Sequence, residues 1–315
     1  MKGLALFALV FGFSIITLSG VDKQKIIFDC DLGGDIDDAF AVSLVLTSPE
    51  FEVLGIVLDQ GNTPKRAQVA CKMLYETGRD DIPVVVGRKT DDYISHQFKW
   101  AEGFTKLKPV RKPAADFIIE NLKKYPNEVI LFTVGPVPNI KDVIEKDPDV
   151  LKLAKHVYSM FGSFYLGYDS NPVPSAEWNV RADVSASKAF TSSGAPVTYA
   201  GLDITTFVKL GEELRQQLWQ YDSPLTNALE DLYGLWRNEW YARPDPTLFD
   251  VVAVGMVLWP ELFETRKAFV KVIDPGYTII DESREPNCEI GMSIQKDEFL
   301  RRVVDRYLKQ NLHRK

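Results

Sequence analysis

From residue 25 onward, short and wholly apolar runs alternate with longer segments whose apolar residues recur at helical spacing. KIIFDCD (25–31), FEVLGIVLD (51–59), IPVVVG (82–87), EVILFTVG (128–135), HVYSMFG (156–162) and PVTYAG (196–201) are predicted strands. DDAFAVSLVLTS (37–48), PKRAQVACKMLYETG (64–78) and the segments 112–124, 138–153 and 183–193 are predicted helices between them. Strands that stay apolar on both alternating faces are covered on both sides. The alternation therefore predicts an α/β fold, a mostly parallel central sheet with helices on both faces. In such sheets chemistry gathers outside the carboxyl ends of the strands. The residues that follow each strand are the ones to read.

The stretch 205–245 breaks the alternation, being helical and rich in aromatics: Trp219, Tyr221, Tyr233, Trp236, Trp240 and Tyr241. Helix packing explains most of them, and a flap over the site is the alternative. No repeat or linker interrupts the chain, so residues 21–315 form one domain. Residues 1–20, MKGLALFALVFGFSIITLSG, carry one Lys ahead of an uncharged run that ends in Ser19 and Gly20. That is the layout of an export signal peptide, with an uncleaved anchor as the alternative. It predicts a periplasmic or secreted protein, without stable membrane association after cleavage.

Charge and ligand chemistry narrow the function. With 37 basic and 44 acidic side chains the formal net charge is −7, against a nucleic-acid partner held by a basic surface. Three His and three Cys are too few for a zinc cage unless nearly all take part. Cys30, Cys71 and Cys288 follow no pairing rule and read as small buried hydrophobes, with no disulfide. Carboxylate oxygen is the ligand this chain holds in abundance.

The first predicted strand ends in Asp29-Cys30-Asp31-Leu32-Gly33-Gly34-Asp35-Ile36-Asp37-Asp38, five carboxylates within ten residues at the start of a helix. One of Asp35, Asp37 or Asp38 can cap that helix, but five like charges in a closed space need a positive partner. The paired glycines allow a tight turn in which oxygens converge. A hard divalent cation suits such a set, calcium better than zinc. Asp250 opens a second apolar run, VVAVGMVLW, whereas Asp183 and Asp203 read as helix caps. Asn171, Glu177 and Asn179 add amide and carboxylate groups suited to a hydroxyl-rich ligand.

These motifs resemble, in order, those of the inosine–uridine-preferring nucleoside hydrolase family. The chain matches the DxD…G…DD-A-x-A signature, GN at Gly61-Asn62, and the G-P-L-T-N turn at Gly135-Pro136-Val137-Pro138-Asn139. It continues with the MGG-like Met160-Phe161-Gly162, the AEFN-like Ala176-Glu177-Trp178-Asn179, and the GLDVT-like Gly201-Leu202-Asp203-Ile204-Thr205. The resemblance implies a Rossmann-like nucleoside hydrolase fold and calcium-dependent cleavage of a ribonucleoside to ribose and free base. It implies Asp31, Asp38, Asp250 and the Val134 carbonyl as ligands of Ca2+, with Asp31 the general base acting on a calcium-bound water. Asp37, Asn62, Met160, Asn171, Glu177, Trp178, Asn179, Phe249 and Asp250 would line the substrate. A small-molecule nucleoside is the implied partner, nucleoside salvage the implied setting, and a homo-oligomer, dimer or tetramer, is compatible with both.

Two departures stand out. Gly34 and Asp35 lengthen the usual DxDxGxDD spacing, and Phe249 occupies the place where the family has a His that protonates the leaving base. None of His96, His156 or His313 is an evident substitute; stacking by Phe249, Trp178 or Trp100 is one. Two alternatives follow: a secreted ribose or nucleoside binder without turnover, and a haloacid-dehalogenase-like phosphatase with Asp29 as nucleophile and magnesium as the ion. The second leaves the GN and AEWN segments without a role.

Overall fold

The computed structural model of the protein describes residues 23–314, so the predicted leader lies outside the described residues. Among the described residues ten strands are formed: β1 (Gln24–Cys30), β2 (Phe51–Leu58), β3 (Val84–Val86), β4 (Val129–Thr133), β5 (His156–Met160), β6 (Val197–Ala200), β7 (Phe263–Ala268), β8 (Val270–Ile273), β9 (Tyr277–Ile280) and β10 (Cys288–Ile294). Eight make the main sheet in the order β3-β2-β1-β4-β5-β6-β10-β7, while β8 and β9 form a separate antiparallel pair. Every pairing in the main sheet is parallel except β10 with β7 at the edge. The α/β expectation, a mostly parallel sheet with helices on both faces, holds.

Both faces of the sheet are dry, which is why the strands read as unbroken apolar runs. Ile26, Phe28 and Cys30 of β1 point into one core with the helices Asp37–Leu46, Phe249–Leu258 and Lys296–Leu308. Ile27 points into the other, with Ala114–Lys124, Pro138–Lys146 and Val184–Thr191. The helix Asp37–Leu46 is buried along its whole length and lies against Phe249–Leu258, so neither needs a polar face.

Predicted boundaries move at several ends. The expected helix 138–153 stops at Lys146, and a single tight turn follows at Val150–Leu153. Asp147 and Asp149 are separated by Pro148, which the helix interior does not tolerate. The aromatic stretch is two main helices, Glu212–Trp219 and Pro224–Arg237, the second opened by a Ser223–Thr226 capping box. Trp219, Tyr233 and Trp236 pack on one another at 5.7–5.8 Å, while Tyr221, Trp240 and Tyr241 stay exposed. Packing therefore accounts for half of the six aromatics. Cys30, Cys71 and Cys288 are buried and unpaired.

The winding reverses direction between β1 and β4, which are neighbours in the sheet although β2 and β3 separate them in sequence. Such a switch point opens a crevice at the strands' carboxyl ends. The loops after β1, β2, β4 and β5 meet there.

Candidate active site

Asp37, Asp38 and Asp250 form the centre of this crevice. Each offers a carboxylate oxygen within 4.8 Å of the other two, and all three are buried. They sit in the first turns of Asp37–Leu46 and Phe249–Leu258, so two helix N-termini face one acidic group and offset part of its charge. None of Asp35, Asp37 and Asp38 caps the helix it precedes or opens. Asp37 instead reaches across, its Oδ2 accepting from the Asp250 amide at 3.3 Å. The DD pair and the distant Asp250 are thereby locked together.

Asp31, expected among the cation ligands, is not in this converged group; Asp37 is. Asp31 instead pairs with Arg66, on the helix Thr63–Glu76, whose Nη2 lies 3.4 Å from Asp31 Oδ2. The same guanidinium donates to the carbonyls of Asp31, Leu32 (3.1 Å) and Gln60 (2.8 Å). A planar, five-donor fork of this kind holds several acceptors in fixed relation. It clamps the end of β1 to the end of β2.

The lengthened loop is tied down as well. Gln97 Nε2 donates to the carbonyls of Gly34 (2.8 Å) and Asp35 (3.1 Å), and Ser95 Oγ donates to that of Gly33. Asp35 accepts from the Ile36 amide at 2.7 Å and is not one of the converging carboxylates. The inserted residues thus serve as an anchor for the segment 93–97. In that segment His96 Nδ1 lies 3.1 Å from Glu239, which also accepts from Tyr93 Oη at 2.7 Å.

On the β4–β5 side, Asn179 donates through Nδ2 to the carbonyls of Val134 (2.8 Å) and Met160 (3.0 Å), and contacts the Met160 sulfur. Glu177 is the N-cap of the helix Trp178–Ala182, accepting from the amides of Asn179, Val180 and Gly162. Phe249 meets Tyr168 edge to face at 6.2 Å. Asn62 caps the helix Thr63–Glu76, accepting from Lys65 N at 3.4 Å. Asn171 lies on an exposed loop with Oδ1 on the Val173 amide, and exposed Trp178 stacks under Arg181. Asn62, Asn171 and Trp178 thus each have local partners of their own, and the Trp178 amide also donates to Tyr168 Oη at 2.8 Å. Asp183 caps its helix, as expected, through Ala186 N. Asp203 departs from expectation: it caps no helix of its own but accepts from the amides of Phe164, Tyr165 and Leu166. That three-amide grip pins the loop after β5.

Asp59 and Arg66 were not legible as site residues. The signal was present for Asp59, which ends the second apolar run just as Asp29 and Asp31 end the first. Nothing local to Arg66 distinguishes it from any other arginine on a helix.

Burial pushes the carboxylates of Asp37, Asp38, Asp59 and Asp250 well above the usual range, and their mutual repulsion adds to it. Asp29 is raised to about 8, Glu177 to about 7 and Asp35 to about 6, each chiefly by burial and each partly offset by donors. A carboxylate with a raised pKa binds protons in the folded state that the unfolded chain has lost, so its stability contribution falls as pH rises. The window runs from the ordinary carboxylate range, around pH 4, to about 8 for Asp29. In chelator, the melting temperature should therefore fall between pH 5 and pH 8, each kcal/mol lost costing roughly 2–4 °C. A divalent cation should raise it more at pH 8 than at pH 5. A flat profile in chelator would count against this electrostatic picture.

All-oxygen donors, deep burial and an orphaned Asp38 Oδ1 fit a hard divalent cation. A doubly wound sheet with such a centre at its switch point defines an α/β protein with a clustered-carboxylate site. A family model for inosine-uridine preferring nucleoside hydrolases matches residues 26–301, and the chain belongs to that family. It is 29% identical over 284 residues to uridine nucleosidase 1 of Arabidopsis thaliana, covering 82% of each chain. It is 27% identical over 307 residues to the pyrimidine-specific ribonucleoside hydrolase RihA of Citrobacter koseri, covering 89% of this chain and 97% of that one. The fold is similar to that of a plant nucleoside hydrolase, the PpNRh1 enzyme, with a TM-score of 0.80 and 24% identity over 91% of this chain and 99% of the other. The protein is an N-ribosyl hydrolase that cleaves the N-glycosidic bond of ribonucleosides. The phosphatase alternative is set aside.

Proposed function

We propose that the protein is an exported, calcium-dependent ribonucleoside hydrolase of nucleoside salvage, with Asp31 as its general base. The observation that carries the reading is the convergence of Asp37, Asp38 and Asp250 beside Asp31 at the switch point of the sheet. Asp38 and Asp250, with Asp37 adjoining, are the residues that would hold the cation. When bound, a divalent cation lowers the pKa of a coordinated water and fixes the ribose diol.

The chain's own groups divide the remaining work. Asp31 takes the proton of the attacking water, and Arg66 holds its carboxylate in place. The surrounding carboxylates favour the positive charge that develops on the ribosyl ring as the bond to the base breaks. Asn179, whose Nδ2 is occupied by Val134 and Met160, turns its Oδ1 to a ribose hydroxyl. Glu177 orients the same ring from its cap position, and Met160 covers the sugar. Phe249 and Tyr168 offer an aromatic wall to the base where a proton donor is lacking.

The leader 1–20 supports export. The relatives' names put pyrimidine ribonucleosides first among substrates. The test is release of reducing sugar from a panel of ribonucleosides, after treatment with chelator and after adding back calcium or magnesium. Turnover lost in chelator and restored best by calcium is expected. Binding of nucleosides without release of sugar from any of them would favour the non-catalytic alternative, and turnover undiminished in chelator would overturn the cation.

A further inference from the structure

We propose that Asp59 belongs to the cation-holding set, a further carboxylate that reaches the centre from the end of β2 and faces Asp31 across Gly135. This rests on the reading of the centre as a divalent-cation site. Asp59 follows Leu58 directly, and its amide donates to the Cys30 carbonyl at 2.9 Å, which fixes it beside the end of β1. Its side chain is wholly buried, yet neither carboxylate oxygen has a hydrogen-bond partner among the described residues.

Its neighbours differ. Asp29 takes a donor from Asn139, Asp31 from Arg66, Glu177 from three amides and Asp203 from three more. The guanidinium of Arg66 is the nearest source of positive charge, but its donors are directed to Gln60, Asp31 and Leu32. A carboxylate is an acceptor only, and leaving one dry and unpartnered is costly. While it is ionised, only a cation or a water from outside the protein can satisfy it.

The geometry says where. Gly135, at the end of β4, has no side chain, and the two carboxylates take up the space over it. A Cβ placed on it would lie 2.5 Å from Asp59 Oδ1 and 2.9 Å from Asp31 Oδ1. Two carboxylate oxygens from neighbouring strands thus crowd against one glycine. Asp31 in turn is close enough to Asp37, Asp38 and Asp250 for its charge to act on each, and Asp59 feels both Asp31 and Asp38. A hard divalent cation, met directly or through one water, is the ligand class such oxygens take.

The test is titration of the chelator-stripped full chain with calcium by calorimetry, and with terbium by luminescence. Asp59→Asn keeps the shape and removes the charge; Asp59→Val removes both oxygens and serves if the amide folds poorly. Outer carboxylates of metal sites typically contribute about 10–100-fold in affinity. A loss of that size is expected in both variants, with a melting temperature in chelator no lower than that of the wild type. Wild-type affinity in both variants would overturn the role of Asp59 while leaving the centre intact. A wild-type chain that releases ribose but binds neither ion would overturn the cation reading itself, and this proposal with it.

Discussion

Asp31→Asn is expected to lower kcat for ribonucleoside hydrolysis by about 10²–10⁴, the usual contribution of a general base. Asparagine keeps the size of the side chain and can still meet Arg66 through its amide oxygen, but it cannot accept a proton from water at neutral pH. The backbone clamp from Arg66 to the carbonyls of Asp31 and Leu32 does not depend on the side chain, so the loop should stay in place. The loss should therefore appear in kcat with little change in KM, as for an interaction made only on the way to the transition state. Thermal unfolding provides the control. Asp31 is raised above its ordinary pKa by burial, with Arg66 opposing the shift, so removing its charge should not destabilise the fold. Calcium affinity should fall less than it does on replacing Asp38 or Asp250. An Asp31→Asn enzyme with wild-type kcat would assign the proton to another group and sink the mechanism.

What the chain discloses about itself follows the range of the interactions involved. The strands β1 to β6 were legible because burial on both faces imposes unbroken apolar runs. The strand-end rule then found Asp31, Asp37 and Asp38 without any structure. Asp250 was legible for the same reason, as a charge opening a run apolar on every side. Partnerships between residues distant in sequence were not legible. That Asp37 accepts from the Asp250 amide, or that Arg66 pairs with Asp31, depends on contacts across 213 and 35 residues. Gln97 shows the limit well. Its role is to hold the carbonyls of Gly34 and Asp35, and a neutral amide in a polar loop carries no periodic signal. The resemblance to nucleoside hydrolases supplied the motif order, but it assigned Asp31 to the cation and Asp37 to the sugar. In the structure Asp37, and not Asp31, stands with Asp38 and Asp250.

Gly135→Ala should be nearly as damaging as removing the general base, although it adds a single methyl group and changes no charge. No positive φ is required at this position, so alanine meets no backbone strain, and the obstacle is space alone. The new Cβ would come within 2.5 Å of Asp59 Oδ1, 2.9 Å of Asp31 Oδ1 and 3.0 Å of the Asp31 amide nitrogen. The two side chains can rotate away, but the amide moves only if the end of β1 moves with it. Either response displaces Asp31 from the attacking water, and a misplacement of about 1 Å can cost about 10²-fold in rate. A drop in kcat of that order is expected, with a weaker response to calcium. Gly234→Ala is the matched control. Gly234 lies on the exposed side of the helix Pro224–Arg237 with nothing within 4 Å of an added Cβ. There the same change should raise stability by about 0.5–1 kcal/mol through helix propensity and leave kcat untouched. If Gly135→Ala turned over and bound calcium like the wild type, the carboxylates of Asp31 and Asp59 would not need the space above Gly135, and the proposed join between the two halves of the site would fail.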